Sequence, residues 1–397
     1  MNIIRISTRI FPDKGGPAKQ SYLLSKYCSK INIRAFNIAC ILSRKYYRDK
    51  KKVNQNFEIQ YLPFKAPGVN ANVLKHGLFF FKFMFYGILK MIKIIRREKI
   101  DLIHAHTPPP SGFIALIISK LFRIPYFYTL HGSQVPVNFL LDLDYKLCVK
   151  NAKKTFIVNR RLLNLIKKKY DFHNLEWFPN GIEISNKGDS KFKQEKSLII
   201  KKIDLEKYCQ KEDFIISYIG YMIFRHKVKG MIDFLEGFKK FIDKLPSAEE
   251  RSKIKLLFIG DGEFSYLLKN KINQLKLDDQ VFVLGERKDI KKVLLITDLL
   301  GLTSYIEGFP NVILEAMASN VPCLATNVGE VKHIIGETGY IVQPGDIVSI
   351  GQKLGNFYNL TETKRKKMGE KAFNRVRNLF DIKIIIKKLK DYYISVD

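Results

Sequence analysis

Short β-rich runs alternate with helix-like stretches along this chain, and the whole pattern occurs twice. The first series runs from NIIRIST (2–8) to TFIVN (155–159), and the second starts with FIISYIG (214–220). Such alternation is typical of a parallel sheet covered by helices. A chain of 397 residues, 46% of them apolar, can build two hydrophobic cores. We therefore predict two Rossmann-like, doubly wound α/β domains that face each other across a cleft.

The two series are separated by a polar, lysine-rich stretch without strand signals, which is typical of a linker. We place an N-terminal domain at 1–183, the linker at 184–212 and a C-terminal domain at 213–377. The final segment, 378–397, follows the second sheet and has an amphipathic pattern. We expect it to form a helix that packs back on the N-terminal domain.

Five scattered cysteines argue against a zinc site, a disulfide framework or a redox pair, because none has a partner at the usual spacing. We expect buried thiols in a reducing compartment. They are Cys28, Cys40, Cys148, Cys209 and Cys323.

No export signal follows Met1, and no apolar run reaches the length that crosses a bilayer. Lys82 and Lys90 interrupt the best candidate, around 79–95. We therefore expect a cytoplasmic protein.

The formal net charge of +31 would attract anionic lipid, nucleic acid or phosphorylated substrates. A lysine-rich composition spread over solvated helix faces explains the charge equally well. Because the chain has no RNP-type aromatic motif, zinc-finger spacing or Gly-Lys phosphate loop, we expect no nucleic-acid partner.

The segment 74–98, LKHGLFFFKFMFYGILKMIKIIRRE, combines aromatic and basic residues at helical spacing. Such a helix either covers the sheet of its own domain or lies at a membrane interface. We favour a compromise, in which its basic outward face docks the protein on the anionic inner face of the cell membrane.

Glycine and histidine residues cluster where the predicted strands end, which is where open α/β sheets bind their ligands. In the first series these are Gly15, Gly16, His104, His106, His131 and Gly132, and in the second Gly220, Gly260, Gly262, Gly285, Gly308 and Gly329.

The segment 299–326 predicts a strand, a loop, a helix and another strand. Pro310 suits the first helical position, and Asn320 suits a left-handed cap at the end. The free N–H groups of such a helix would accept a diphosphate. Glu307 and Glu315 flank its start, and carboxylates accept hydrogen bonds from sugar hydroxyls.

With these motifs the chain resembles glycosyltransferase family 4, whose members share the two-domain GT-B fold. The resemblance covers essentially the whole chain. Its most specific element is the pair of glutamates around GFPNVIL. The supporting motifs are KGGPAKQ, DLIHAHTPPP, TLHGS, FPNGIE, VKGMIDFLEGF, LLFIGDGE and TNVGEVKHII.

The resemblance implies a retaining transferase that moves a sugar from a nucleotide-diphosphate sugar to a glycan or lipid-linked acceptor, in cell-surface polysaccharide or glycolipid biosynthesis. Glu307 would bind donor-sugar hydroxyls, Glu315 the ribose and Lys229 the phosphates. Backbone groups of four residues would hold the diphosphate: Gly308, Phe309, Pro310 and Asn311.

In the first domain the resemblance assigns His131 to the donor sugar, and Gly15 with Gly16 to the loop over the diphosphate and acceptor. It implies a hexosyltransferase type of enzyme without a metal or other cofactor, because cations and a helix dipole would neutralise the leaving diphosphate.

One position departs from the family. After Gly220, where the family usually has arginine, this chain has Tyr221. Three residues in the following loop could supply the missing positive charge: Arg225, His226 and Lys227. We predict that Arg225 does so.

Other residue pairs are weaker candidates. Asp142 and Asp144 are spaced like a metal-binding aspartate pair, but helical spacing would turn them to different faces. His104 and His106 share one side of a strand without an obvious third metal ligand, so we favour packing or ligand lining.

Two other functions fit the same residues. A sugar-nucleotide epimerase can use this fold and needs no acceptor. A non-catalytic basic binding protein would be consistent with the altered Tyr221 position.

Overall fold

The computed structural model describes residues 1–13, 15–41, 50–68, 71–106, 109–132, 139–184 and 196–395. The chain divides into two compact units. The first comprises Met1–Glu183 with Asp381–Asp397, and the second comprises Ile184–Phe380.

The first unit contains eight strands within the described residues: β1 (Asn2–Ile6), β2 (Arg34–Cys40), β3 (Lys50–Asn54), β4 (Phe57–Leu62), β5 (Leu102–His106), β6 (Tyr126–Leu130), β7 (Lys154–Ile157) and β8 (Leu175–Trp177). Its helices are α1 (Gly16–Cys28), α2 (Val73–Arg97), α3 (Ser111–Phe122), α4 (Phe139–Asp144) and α5 (Arg160–Lys169), with a π-helical segment at Tyr145–Val149.

The second unit begins with α6 (Lys196–Lys202) and contains the strands β9 (Phe214–Ile219), β10 (Ile254–Ile259), β11 (Val281–Val283), β12 (Leu299–Leu302), β13 (Cys323–Thr326) and β14 (Tyr340–Val342). Its other helices are α7 (Arg225–Ile242), α8 (Ala248–Ser252), α9 (Ser265–Gln274), α10 (Ile290–Ile296), α11 (Asn311–Met317), α12 (Val331–Ile335), α13 (Ile347–Tyr358) and α14 (Glu362–Phe380). The last helix, α15 (Ile382–Ile394), belongs to the first unit.

The strand order confirms the predicted doubly wound architecture. The first sheet has the order β3-β4-β2-β1-β5-β6-β7-β8, and the second has β11-β10-β9-β12-β13-β14. All neighbouring strands pair in parallel except β3 and β4. The order reverses direction at β1 and at β9, so each sheet has a switch point at which α/β proteins bind ligands.

Central strands are apolar on both sides because helices cover both faces of the sheet. In β1, Ile4 and Ile6 enter one core with α2 and α3. Ile3 points to the opposite face, where it packs with residues of α1 and α15. All three side chains are fully buried.

The edge strand β3 is rich in lysine, and its sequence has no strand signal. Its partner β4 runs antiparallel to it, and Lys51 and Lys52 are exposed. Lysine on an edge strand opposes unwanted pairing with other chains. The same lysines give the segment KKKVN the composition of a loop.

The predicted linker differs from the structure over residues 196–212, while 185–195 lie outside the described residues. Ile199, Ile200, Ile203 and Leu205 are buried in a cluster that also contains strand residues of the second sheet. This stretch is therefore part of the second unit. Its exposed lysines make it look like a linker, but its isoleucines face the core.

The C-terminal boundary also lies slightly later than 378, because α14 continues to Phe380. Asp381 begins the return to the first unit, and its side chain caps α15 by accepting from Lys383 N. The Ile382 N–H donates to the carbonyl of Ile182 at 2.8 Å. Tyr393, near the end of α15, is fully buried in the first unit.

Within the described residues, no helix has both the length and the hydropathy required to cross a membrane.

Candidate functional site

Glu307 lies in the loop between β12 and α11, and its carboxylate accepts a hydrogen bond from Lys227 Nζ. The Lys227 and Glu307 side chains are 26% and 14% exposed, so the ion pair is largely withdrawn from solvent. Lys227 belongs to the first turn of α7. The structure thus joins two loop regions that follow adjacent strands, β9 and β12.

The region around Lys227 differs from the predicted loop, because α7 begins already at Arg225. Phe224 is extended and forms the N-cap, and no acidic residue occupies the first turn. Arg225, His226 and Lys227 therefore lie at the positive end of the helix macrodipole, where cations are unfavourable. An anion at this end would stabilise the arrangement.

Burial lowers the pKa of His226 below its ordinary value, and the neighbouring Lys227 lowers it further while Glu307 opposes the shift. His226 is therefore neutral at pH 7. Its ring stacks on Phe224, with centroids 5.3 Å apart. The charge available to an anion comes from the lysines and Arg225.

Arg225 is exposed, and its guanidinium carbon lies 5.2 Å from the centroid of Phe264. Phe264 follows β10, so this contact ties the start of α7 to the loop of a third strand. Tyr221, at the position where the family usually has arginine, is 40% exposed. The cation–π contact thus places Arg225 at the strand ends.

Lys229 is one turn further along α7, and its Nζ lies 4.4 Å from the centroid of Tyr305. The hydroxyl of Tyr305 donates to Asp233 Oδ2 at 2.6 Å. Contact with Tyr305 raises the pKa of Lys229. Sequence reasoning missed Tyr305 and Asp233, although helical spacing alone puts Asp233 on the face of Lys229.

The loop that carries Glu307 is held by close backbone packing. Gly329 has φ +54°, and a side chain there would strike the carbonyls of Glu307 and Gly308. The Glu330 N–H donates to the Gly308 carbonyl at 3.0 Å. Thr303 Oγ1 donates to the Gly230 carbonyl at 2.7 Å, which joins the loop to α7.

The helix after this loop starts one residue later than predicted. Pro310 is extended (ψ 106°) and serves as the N-cap, so Asn311 is the first helical residue. Phe309 is buried and its ring lies 5.6 Å from that of Phe380, so its side chain packs in the core. Only its backbone remains a candidate ligand group.

The other predicted diphosphate-binding residues lie next to Glu307, in the loop and at the start of α11: Gly308, Pro310 and Asn311. Glu315 lies one turn into α11 and is half-buried. Asn320 has φ 59°, the left-handed conformation predicted for it. The structure therefore brings the predicted second-unit residues to one edge of the sheet.

His131 follows β6 at the corresponding edge of the first sheet. Its Nε2 lies 3.0 Å from His106 Nδ1. Burial lowers the pKa of His131 to about 4, so the ring is neutral at pH 7. A small cavity at this point is lined by nine residues, Gln20, Leu24, His104, Thr129, His131, Val158, Phe178, Pro179 and Asn180.

Gly15 and Gly16 form the start of α1, after β1. Gly15 is the N-cap with φ 110° and ψ 154°, a conformation that favours glycine. Gly16 begins the 13-residue helix. Their neighbour Lys14 lies outside the described residues.

Asp142 and Asp144 face different surroundings, as predicted from helical spacing. Asp142 forms ion pairs with Lys146 and Lys169. Asp144 is buried and accepts from the hydroxyl of Tyr128 at 2.9 Å. Burial raises the pKa of Asp144 to about 6.

Across the described ranges, no group of three histidine, cysteine, aspartate or glutamate side chains is arranged to hold a metal ion. The five cysteines are buried and unbridged.

Two family models match this chain. One, described as glycosyl transferases group 1, matches residues 204–375, and the other, described as glycosyltransferase family 4, matches residues 62–186. They fall on different units of the structure.

Curated relatives carry related names. The chain is 26% identical to N-acetyl-alpha-D-glucosaminyl L-malate synthase of Bacillus anthracis, over 84% of this chain and 87% of that protein. It is 25% identical to the UDP-Gal:alpha-D-GlcNAc-diphosphoundecaprenol alpha-1,3-galactosyltransferase of Escherichia coli, over 78% and 79%.

Among solved structures, Anabaena HepE in complex with UDP and glucose superposes with a TM-score of 0.72 at 17% identity, with full coverage of both chains. This likeness concerns the fold. The two family models, which together match most of the chain, show that it belongs to glycosyltransferase family 4, and the structural likeness shows that it has the GT-B fold.

Proposed function

We propose that this chain is a retaining, metal-independent hexosyltransferase that uses a nucleotide-diphosphate sugar. The observation that carries the proposal is the Lys227–Glu307 pair at the basic start of α7. It places an acceptor for sugar hydroxyls beside cations that suit a diphosphate. The E. coli relative is named for a UDP-sugar, and the Anabaena structure contains UDP and glucose.

The cations would take the place of a metal ion. Arg225, Lys227 and Lys229 lie within the first five residues of α7, which has no acidic residue in its first turn. Lys227 is neutralised by Glu307, whereas Arg225 and Lys229 make cation–π contacts. The exposed charges are thus free to stabilise the negative charge that develops on the departing diphosphate.

The acidic side chains would orient the donor. Glu307 would accept hydrogen bonds from hydroxyls of the transferred sugar, and Glu315 from the ribose. Backbone groups of Gly308 to Asn311 would hold the diphosphate. The close packing of Gly329 against this loop supports the assignment, since a binding loop must be fixed to position its ligand.

For the reaction we propose that the sugar develops oxocarbenium character as the diphosphate leaves. The acceptor hydroxyl would enter from the face that the diphosphate vacates, which retains the anomeric configuration. The leaving phosphate would accept the proton of that hydroxyl. This route requires no carboxylate nucleophile.

The acceptor we propose is a lipid-linked or polymeric glycan of the cell surface, and the enzyme would act on it at the inner face of the membrane. The E. coli relative is named for a diphosphoundecaprenol-linked acceptor. In this chain α2 exposes a row of apolar side chains, with Leu74 82% exposed, Phe81 72% and Phe85 61%. These residues recur at helical spacing and form one stripe.

Basic residues accompany that stripe. Lys75, Lys82 and Lys93 are exposed and follow each other at intervals of seven and eleven residues, which places them on one side of α2. Leu121 of the neighbouring helix α3 adds a further side chain, 66% exposed. An apolar stripe bordered by lysine fits the interface of an anionic bilayer.

The test begins with ligand binding and ends with transfer. Thermal unfolding should shift upward with one of UDP, GDP or ADP, because a ligand of the folded state stabilises it. With the matching sugar nucleotide and an undecaprenyl-diphosphate-linked sugar, the product should keep the anomeric configuration and form in the presence of EDTA.

Glu307→Gln and Glu315→Gln should each lower the transfer rate at least tenfold, while Glu249→Gln serves as the control because its side chain is 79% exposed on α8. A new isomer formed without acceptor would instead identify an epimerase. No shift with any nucleotide would indicate a non-catalytic protein.

A further inference from the structure

Tyr305 lies between a lysine and a buried carboxylate in the second unit. The Lys229 ammonium lies over the ring of Tyr305, with Nζ 4.4 Å from the centroid. The hydroxyl of the same tyrosine donates to Asp233 Oδ2 at 2.6 Å. Asp233 is only 7% exposed, whereas Lys229 is exposed. One side chain therefore contacts a cation with its ring and an anion with its hydroxyl.

The backbones that carry these groups are in direct contact. Thr303 Oγ1 donates to the Gly230 carbonyl at 2.7 Å, and a side chain at Gly230 would overlap the carbonyl of Thr303. Gly345, which follows β14, also approaches the tyrosine: a β-carbon at this glycine would lie 3.1 Å from the hydroxyl of Tyr305. The ring is therefore held in place against α7.

Lys229 contacts the same loop as the proposed donor-binding pair. Lys227 reaches Glu307 from α7, and Lys229 reaches Tyr305, two positions earlier in the loop. Two residues of extended chain span at most about 7 Å. The Lys229 ammonium is thus anchored close to the residues that we propose bind the sugar nucleotide.

Lys229 and Asp233 are four positions apart on α7, a spacing at which a lysine and an aspartate can pair directly. In the part of the chain that the structure describes they form no ion pair, and the hydroxyl of Tyr305 binds the carboxylate instead. Burial raises the pKa of Asp233, and the bond from Tyr305 and the charge of Lys229 oppose this shift. Because an unpaired buried carboxylate is costly, Asp233 would attract the lysine if the hydroxyl were removed.

We propose that Tyr305 is a positioning residue for Lys229. By donating to Asp233 it prevents a direct ion pair between Lys229 and Asp233, and its ring holds the ammonium where a diphosphate can bind. An ammonium neutralised by Asp233 would bind phosphate less tightly. The phosphate contact rests on the proposed function, whereas the separation of the lysine from the carboxylate does not.

Calorimetric titration of the full-length protein with UDP, GDP and ADP tests the phosphate contact. For the diphosphate that binds, Lys229→Met should lower the affinity about tenfold, because a charge-assisted hydrogen bond is lost. Tyr305→Phe should lower it about fivefold, since it keeps the ring but leaves Asp233 to pair with the lysine. The corresponding nucleoside, which has no phosphate, should bind to all variants equally.

A second substitution separates this role from a structural one. Asp233→Asn removes the carboxylate that competes for the lysine, so the variant with both Tyr305→Phe and Asp233→Asn should bind the diphosphate within about twofold of the wild type. In the Lys229→Met background, Tyr305→Phe should cause no further loss. A double variant as weak as Tyr305→Phe alone, or losses that add to that of Lys229→Met, would overturn the proposal.

A crystal structure of Tyr305→Phe without nucleotide tests the separation of the charges directly. We expect Lys229 Nζ within about 4 Å of the Asp233 carboxylate in this variant. A lysine that stays over the ring would contradict the proposal. Absence of nucleotide binding by the wild type would count against the proposed function, and the crystal structure would still decide whether Tyr305 keeps the two charges apart.

The matched control is Tyr208, because Lys207 Nζ lies 4.7 Å from the centroid of its ring. Tyr208→Phe makes the same change at another lysine–tyrosine contact of the second unit, and it should leave the affinity for the diphosphate unchanged. Thermal unfolding of each variant establishes that it is folded before affinities are compared.

Discussion

Lys227 in α7 and Glu307 in the loop after β12 form an ion pair across 80 positions of sequence. The pair couples a cation suited to phosphate with a carboxylate suited to sugar hydroxyls. Removing either partner leaves the other largely buried without its counter-charge, which is costly. The two residues should therefore behave as one unit in catalysis.

We predict that Lys227→Met lowers kcat/KM about tenfold and that Glu307→Gln lowers it about a hundredfold. The double variant should be no slower than Glu307→Gln alone, because the lysine acts through the carboxylate it orients. Initial rates under subsaturating donor provide the measurement.

The matched control is the exposed pair Lys253 and Glu249, which is also joined by a lysine–carboxylate hydrogen bond. Lys253→Met and Glu249→Gln make the same changes in charge and should leave the rate unchanged. Fully additive losses at Lys227 and Glu307 would show that the two residues act independently.

Arg225 is predicted to replace the arginine that the family usually has at the position of Tyr221. Its contact with Phe264 holds the guanidinium at the strand ends. Arg225→Ala should weaken the binding of nucleoside diphosphate about tenfold and affect the nucleoside itself little, since the lost interaction is with phosphate. Calorimetric titration with both ligands measures the difference.

Tyr221→Arg provides the complementary experiment. Placed in the Arg225→Ala background, it should recover diphosphate affinity by restoring the family arrangement. Unchanged affinity of Arg225→Ala for the diphosphate would remove the role assigned to Arg225.

The parts of this fold that could be predicted are those with local signals. Ile3, Ile4 and Ile6 mark β1 because a central parallel strand is apolar on both faces. The loop around Glu307 and the cap at Asn320 are likewise encoded within a few residues. Secondary structure is harder to predict in lysine-rich segments. The lysines of β3 and α6 give both segments the composition of loops, although β3 is a strand and α6 is a helix with a buried face.

The partners of the site residues could not be predicted, because they come from distant parts of the chain. Nothing near His104 in the sequence indicates that Tyr393, 289 positions away, reaches its ring. Likewise, Lys227 and Glu307 are 80 positions apart, so no helical or strand periodicity relates them. Contacts of this kind follow from how the strands are ordered and how α15 returns to the first unit.

Membrane binding through α2 can be tested on two exposed aromatic residues. We predict that the protein sediments with vesicles that contain anionic lipid, less so at high salt, and not with purely zwitterionic vesicles. Replacing Phe81 and Phe85 by serine should weaken binding at least tenfold, because each buried aromatic ring contributes about 1.5–3 kcal/mol.

Leu198→Ser in α6 is the control, since Leu198 is 55% exposed but lies on the second unit. It should leave vesicle binding unchanged. If the anionic vesicles bind no protein even at low salt, α2 covers its own sheet and has no membrane role.

The buried histidines should make the fold sensitive to mild acid. The pKa of His131 is lowered from 6.5 to about 4, and those of His104 and His106 are also lowered well below 6.5. Between pH 6.5 and these lowered pKa values, the histidines of the unfolded chain bind protons that those of the folded chain do not. The free energy of unfolding should therefore fall as the pH drops below about 6.5, by up to about 1.4 kcal/mol per pH unit for each histidine.

Asp144 has the opposite effect on the free energy of unfolding. Because its pKa is raised to about 6, the folded state takes up a proton at a higher pH than the unfolded state does. Urea unfolding of the wild type between pH 7.5 and about 4.5 should show a net loss, because the pKa of His226 is lowered as well, and four histidines outnumber Asp144 and Asp233, whose pKa is also raised by burial. His104→Gln should make the pH dependence shallower and Asp144→Asn should make it steeper. Two results would contradict this: the same free energy of unfolding at both ends of this range, or an unchanged slope in His104→Gln. Either would show that the histidines are charged in the folded protein, and the neutral state of His104, His106 and His131 would be wrong.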